Sequence, residues 1–284
     1  MAALVATLSV VQCDVPVRIA TFNIRMFPTP KTDPAAVARA IASVDADVLG
    51  VQEIKSAGAL AAVLAEASER TGRDYRSALS NCRHPRYGIT TGLVWDAARW
   101  DLVELRHFPQ LSPDGAGTCG RSQPGLAGVF ESDGSRIVVL SVHLDAHPRG
   151  YPARREQWTR VIAIQKQLRA EFDAEVLALG DFNSTGFTSE PAEEPDYVRD
   201  VVGRAGFELL SDDLECTEYY RPGEAPNYLP SLLDHLVATG GDWDDVTVHG
   251  LCARLRCTVT APEDMDPEFF AVSDHCPVVV EGSI

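Results

Sequence analysis

Residues 175–183 read EVLALGDFN. The run is apolar, too short for a core helix, and closed by Gly, Asp and Asn, which favour turns. That combination predicts a buried strand whose end carries polar side chains. Residues 136–143 (RIVVLSVH) form the most apolar strand of the chain and end on a histidine. Between the two, residues 152–172 place Trp158, Val161, Ile162, Leu168 and Phe172 at helical spacing.

The same signals recur outward in both directions. Residues 17–22 (VRIATF) alternate like a strand with one buried face, and 47–52 (DVLGVQ) read as a buried strand. Thr32 or Asp33 caps a helix with Pro34 at its first position, which puts Val37, Ala40, Ile41 and Val44 on one face. Residues 58–70 are Ala-rich and helical. Further strands are expected at 74–79, 89–95, 101–106, 126–131, 232–238, near 245–249 and at 277–281, with a short helix near 196–204. Each half of the chain thus has helices and several strands. Such an α/β chain packs two mixed sheets face to face with helices outside, a four-layer α/β/β/α sandwich. The Pro/Gly/Ser-rich stretches at 109–125, 184–196 and 221–231 are short enough to be surface loops. Residues 17–284 are therefore expected to form one domain behind a leader at 1–16.

Composition narrows the function classes. Of 284 residues, 45% are hydrophobic and 23% charged, as in soluble globular proteins. No apolar run reaches the roughly 18 residues that span a bilayer, so no stable membrane association is expected. The net charge of −16 opposes a chain-wide polycation. A nucleic-acid enzyme of this charge needs a local basic surface or bound cations. Mutual repulsion between such acidic chains suits a monomer.

Seven cysteines stand at 13, 82, 119, 216, 252, 257 and 276. Without Cys13 the number is even, as a disulfide framework requires, and no close CxxC pair suggests zinc. The expected pairings are Cys82 with Cys119, and Cys252 or Cys257 with Cys216. Residues 2–11 (AALVATLSVV) are small and apolar, but no Lys or Arg precedes Arg18. They read as a degenerate export segment or as a plain leader to the first strand. With the cysteines, the expectation is a secreted or periplasmic protein.

Oxygen donors and imidazoles collect at the ends of apolar strands. Asn23 follows VRIATF, Glu53 follows VLGVQ, and Asp181 and Asn183 follow VLALG. Asp234 lies in SLLDHLV, Asp274 and His275 precede PVVV, and His143 ends RIVVLSV. One such group is an ordinary turn residue; the whole set at one rim would bind a hard divalent cation and a phosphate.

The ordered motifs TFNIR, VQE, SVHLDA, GDFN, LLDH and SDHCPV resemble the endonuclease/exonuclease/phosphatase superfamily over about residues 17–281. IATFNIRMF and DVLGVQEIK are most similar to deoxyribonuclease I-like members. The resemblance implies the deoxyribonuclease I-like sandwich and metal-dependent hydrolysis of a phosphoester, most simply DNA and with it RNA. Phosphatase or sphingomyelinase-like chemistry is the alternative. By resemblance, Glu53 is the principal metal ligand, and Asn23 and Asp274 help hold metal or phosphate. Asp181 positions or deprotonates water, and Asn183 donates to a phosphate oxygen. His143 and His275 bind the scissile phosphate and move protons, and Asp234 orients His275. The metal would be Mg2+ or Mn2+, with Ca2+ suited to added structural sites. Arg25, Lys55 and Arg121 would contact the nucleic acid. Arg149, Arg154 and Arg155 form either a basic rim or ordinary helix-end charge. Asp14, Asp33 and the Glu193–Glu194 run read as solvated surface. Ser80, Asn81 and Cys82 stand where deoxyribonucleases carry a Glu paired to the first histidine, and His235 stands where they often carry an Arg.

Overall fold

The computed structural model describes residues 15–114 and 125–284. In chain order the elements are β1 (Pro16–Phe27), α1 (Pro34–Val44), β2 (Val48–Ile54), α2 (Ala57–Thr71), β3 (Tyr75–Leu79), β4 (Thr90–Asp96) and β5 (Asp101–Phe108). There follow β6 (Gly125–Ser132), β7 (Ser135–His143), α3 (Tyr151–Phe172), β8 (Glu175–Asp181), α4 (Glu194–Arg204), β9 (Glu208–Leu209), β10 (Glu218–Tyr220) and β11 (Leu229–Ser231). The chain closes with β12 (Asp234–Ala238), β13 (Asp242–Trp243), β14 (Thr247–Val248), α5 (Gly250–Leu255), α6 (Glu268–Ala271) and β15 (Val278–Ser283).

Two mixed sheets result. The first runs β13-β15-β1-β2-β4-β3 with β14 also on β15, and the second runs β5-β6-β7-β8-β12-β9. The pair β1/β2 is parallel in one sheet and β7/β8 in the other. Alternation along each strand builds three apolar layers. Ile19, Val48, Leu93, Ile137, Val139, Leu177 and Leu179 fill the space between the sheets. Ala20, Phe22 and Val51 face α1 and α2, and Val138, Leu140, Val176 and Ala178 face α3 and α4. The four-layer sandwich read from the sequence is the fold.

Local signals explain the helix starts. Asp33 caps α1 by accepting the Ala35 N–H, with Pro34 in the first turn, and Ser56 caps α2 by accepting the Ala59 N–H. The sequence reading did not find β9, β10, β11, β13, α5 or α6, each six residues or fewer. Among the described residues no helix is long and apolar enough to cross a membrane.

Two charged positions correct the sequence reading. Arg154 is fully buried, and both its Nε and Nη2 donate to the Glu194 carboxylate, at 2.7 and 2.8 Å. Glu194 is equally buried, so neither residue is solvated surface or rim. Arg154 also donates to the carbonyls of Asp145 and His147. A helix-borne arginine turns inward here because every donor finds an oxygen. His235 lies in the core between β12 and α3, its ring 5.9 Å from that of Trp158 and 4.8 Å from that of Phe187. It therefore does not act as a substitute for a cleft arginine.

Cys216–Cys257 and Cys252–Cys276 form disulfides. The first is one of the two pairings left open for Cys216. Cys82 is also disulfide-bonded; the expected partner Cys119, together with Arg121, Cys13, Asp14 and the leader through residue 14, lies outside the described residues.

Candidate active site

Register brings the strand ends together. Across the second sheet, His143 of β7, Asp181 of β8 and Asp234 of β12 stand side by side. In the first sheet Asn23 of β1 pairs with Gln52 of β2, next to Glu53. The two rims meet because polar side chains cross the inter-sheet space beneath them. Thr21 donates to Gln52, Gln52 donates to Ser141, and Asn23 Nδ2 donates to Asp181 Oδ2 at 2.9 Å. Gly180, before Asp181, has φ +143°, and a Cβ there would lie 2.0 Å from the Val142 carbonyl oxygen. The Gly of GDFN is thus required for β8 to approach β7.

Asp181 is the hub. Its Oδ1 accepts the Asn183 N–H at 2.8 Å. Its Oδ2 lies 3.4 Å from His143 Nε2 and 3.7 Å from His275 Nε2. His275 Nδ1 donates to Asp234 Oδ2 at 2.8 Å, which fixes the tautomer that turns Nε2 into the cleft. Burial opposes charge on this ring, but the Asp234 and Asp181 carboxylates outweigh it and hold the His275 pKa well above its ordinary value. Thr217 Oγ1 accepts the N–H groups of both Leu233 and Asp234 and so fixes the start of β12.

Glu53 faces this group across the cleft. Its Oε2 accepts the Met26 N–H at 2.8 Å, and its Oε1 lies 4.0 Å from His143 Nε2. The β1–β2 ladder shifts register between Asn23 and Phe27. Arg25, Met26, Glu53, His147 and Asn183 all have positive φ, five of the ten such non-glycine residues in the described chain, and all five line one cleft. Backbone strain is therefore concentrated where these side chains must be aimed. The cleft encloses about 430 Å³.

The remaining expected residues divide. Asp274 lines the cleft, 3.3 Å from Arg25 Nε. Asn183 lines it with its Nδ2 on the Leu144 carbonyl. Lys55 follows β2 and lies outside the cleft lining. Sequence reasoning missed Glu218, His84 and Tyr87, which also line the cleft. Burial pushes the Glu218 carboxyl up to about 8; His275 works against the shift and the carboxylates of Asp274, Asp181 and Asp234 add to it. Glu218 sits on a three-residue strand, too short to leave a periodic signal.

The donor set suits a hard cation. Glu53 and Asp274 line the cleft with carboxylate oxygens, the ligand type that Mg2+ and Mn2+ prefer. Asn23, expected as a third ligand, is fully buried behind the lining, and its amide oxygen accepts the Arg25 N–H at 3.0 Å. Atoms of Asp181, Asp234 and His275 also lie within 4.8 Å of one another. There, however, His275 Nδ1 is already committed to Asp234.

Carboxylates, amides and paired imidazoles at one rim of a two-sheet sandwich define a metal-dependent phosphoester hydrolase. The model of the Endonuclease/Exonuclease/phosphatase family matches residues 20–275, and the chain belongs to that family. No curated protein matches the chain significantly. Its fold is similar to that of truncated Caenorhabditis elegans TDP2, with TM-score 0.66, 17% identity, and 95% of this chain and 98% of that chain covered. The human nocturnin catalytic domain gives TM-score 0.63, 15% identity and coverage of 96% and 97%. The Bacteroides thetaiotaomicron mannosyl-6-phosphatase gives TM-score 0.60, 17% identity and coverage of 93% and 98%. At these identities the likeness is one of fold.

Proposed function

We propose that this protein is a phosphodiesterase that cleaves nucleic acid, DNA and with it RNA, with little sequence preference, in an oxidising compartment such as the periplasm or the exterior. The observation that carries the chemistry is the convergence of His143 and His275 on one oxygen of Asp181, with Glu53 opposite. Asp181 orients the attacking water and takes its proton. His143 and His275 present Nε2–H donors to the non-bridging phosphate oxygens, and the charged His275 supplies a proton to the leaving oxygen. Asp234 keeps that ring oriented and charged. Asn183 presents its second amide hydrogen to the phosphate. Glu53 and Asp274 would hold the divalent cation, which when bound neutralises phosphate charge and acidifies water, while Asn23 fixes Asp181 and the Arg25 backbone beside them.

Arg25 at the cleft mouth favours a polyanionic substrate, and its position beside Phe269 favours one with rings as well as phosphates. The lipid alternative draws support from exposed Tyr87 and Phe270, but Tyr87 lies under the Arg86 guanidinium and Phe270 packs on Phe269, itself under Arg25, rather than on aliphatic walls. The two disulfides and the disulfide-bonded Cys82 support the compartment.

A substrate panel tests the reading: single-stranded and plasmid DNA, RNA, sphingomyelin and methyl p-nitrophenyl phosphate, each with and without EDTA. EDTA-sensitive cleavage of nucleic acid is expected. Turnover of sphingomyelin without strand cleavage would replace the reading with the lipid one.

A further inference from the structure

Beside the catalytic cleft lies a second cavity of about 610 Å³, within the size range of small-molecule sites. Arg25 and Asp274, an ion pair at 3.3 Å, line both spaces, so the two adjoin. The groove runs between the turn at 29–32, β10 and α6. Its wall is aromatic. The Phe269 ring packs 4.8 Å from that of Tyr228 and 5.1 Å from that of Phe270, and Phe270 remains 50% exposed. Tyr220 stands half-buried beside them. The rim is cationic: Arg25 lies 5.2 Å over Phe269, Arg221 lies 5.7 Å over Tyr228, and Lys31 stands exposed on the opposite lip.

The wall is rigid. Tyr219, behind it, is fully buried and donates its hydroxyl to the Thr258 carbonyl. Tyr228 pairs by backbone with Thr260. Both disulfides lie in the apolar cluster that contains Tyr219 and Phe269. An exposed phenylalanine on a braced wall is a binding surface that costs little ordering on contact.

The geometry points to this groove as the subsite for an unpaired nucleotide flanking the scissile phosphate, its base stacked on Phe270 and its next phosphate between Arg221 and Lys31. The inference rests on the nuclease reading and adds the form of the substrate: single-stranded nucleic acid. Arg25, which Asp274 pairs at 3.3 Å, together with Arg221 and Lys31 outnumbers the one carboxylate of the lining in a chain of net charge −16, which marks a local anion site. Rings select a planar group, whereas an acyl chain would want aliphatic walls, and only Pro30 and Val272 supply any here. Stacking on a protein ring needs a free base face, which a duplex covers on both sides.

The test compares kcat/KM for a DNA strand, the same strand in a duplex, and methyl p-nitrophenyl phosphate, in the wild type and in Phe270→Ala, Phe270→Trp and Arg221→Glu. The single strand should exceed the duplex by about tenfold. Phe270→Ala and Arg221→Glu should each lower the ratio of single-strand to small-diester kcat/KM by about tenfold, chiefly through KM, and Phe270→Trp should keep it. Thermal unfolding checks that each variant is folded. An unchanged ratio in both folded variants, or a preference for duplex, overturns the groove assignment and leaves the nuclease reading intact. A wild type that hydrolyses the small diester but no strand overturns the nuclease reading itself.

Discussion

Asn23 and Asp181 are 158 positions apart in the chain, lie on strands of different sheets, and share a buried 2.9 Å hydrogen bond beneath the cleft. The bond fixes more than distance. Asp181 accepts from Asn23 at one oxygen and from the Asn183 backbone at the other, so both oxygens are committed to acceptor roles. Asp181→Asn would point an NH2 group at one of these donors as well as removing the charge. Its kcat/KM should fall by at least about 10²-fold at every metal concentration. Glu53→Gln should lose about 10²-fold as well, but recover in part as metal rises, because its weakened role is ligation. A metal titration of kcat/KM separates the two. Near-native turnover by Asp181→Asn would remove it from the centre of the mechanism.

His275 and Asp234 should behave as a unit. The ring donates Nδ1–H to Asp234 at 2.8 Å, and the carboxylate is fully buried behind it. His275→Ala is expected to cost about 10²–10⁴-fold in kcat, and Asp234→Asn a large part of the same loss. The double variant should lose little beyond His275→Ala. Multiplicative losses would show that Asp234 serves another group.

His235 supplies a pH-dependent contribution to stability. Burial drives its pKa down to about 3, against upward pulls from Asp212 and Asp181 and a further downward push from Arg199. The folded ring stays neutral where the unfolded one, with pKa near 6.5, is protonated. Between about pH 6.5 and 3 the unfolded state binds more protons, so stability is lost as pH falls through that window. His235→Phe removes this proton uptake, at the cost of the Ser211 hydrogen bond. Urea midpoints from pH 7 to 4 should fall more steeply for wild type than for the variant. Parallel slopes would place the acid sensitivity elsewhere.

Arg154 and Glu194 are worth testing as a pair. Arg154→Met leaves a buried carboxylate unpaired and frees the carbonyls of Asp145 and His147 on the loop that lines the cleft. A loss of about 3–5 kcal/mol is expected in equilibrium unfolding. Adding Glu194→Leu should restore much of it, since the second change removes the orphaned charge. No recovery would mean that the loop contacts, rather than the ion pair, dominate.

The parts legible from sequence share a cause, and so do the parts that were not. Strands β7 and β8 are continuous apolar runs, and their polar ends, His143 and Asp181, stand opposite each other because the parallel ladder runs unbroken from Ile137 and Glu175 to that point. Asn23 and Glu53 were readable for the same reason in the other sheet. Arg154 and Glu194 were misread because each charge, taken singly, belongs in solvent; only their meeting across 40 positions makes burial tolerable. Glu218 and Phe270 were invisible because β10 and α6 are three and four residues long, and Tyr228 because it lies just outside the three-residue β11. Elements of that length carry no period, and their placement comes from tertiary contacts and the two disulfides.

Those disulfides support the last prediction. Cys216–Cys257 closes a separation of 41 residues and Cys252–Cys276 one of 24. A sandwich of this size has core enough to fold without bridges. The small cluster under β10, α5 and α6 does not: its buried apolar members are Tyr219, Leu251, Met265 and Phe269 beside the four cysteines. Chain closure over these lengths contributes about 2–4 kcal/mol per bridge by restricting the unfolded state. Cys216→Ser/Cys257→Ser should therefore lower unfolding free energy by about that amount. Cys252→Ser/Cys276→Ser should also lower kcat/KM, because Cys276 directly follows His275. In protein made under oxidising conditions, intact mass of the denatured chain should rise on reduction by at least the mass of four hydrogen atoms, two for each bridge. Four free thiols at these positions before reduction would remove the bridges, and with them the argument for an oxidising compartment.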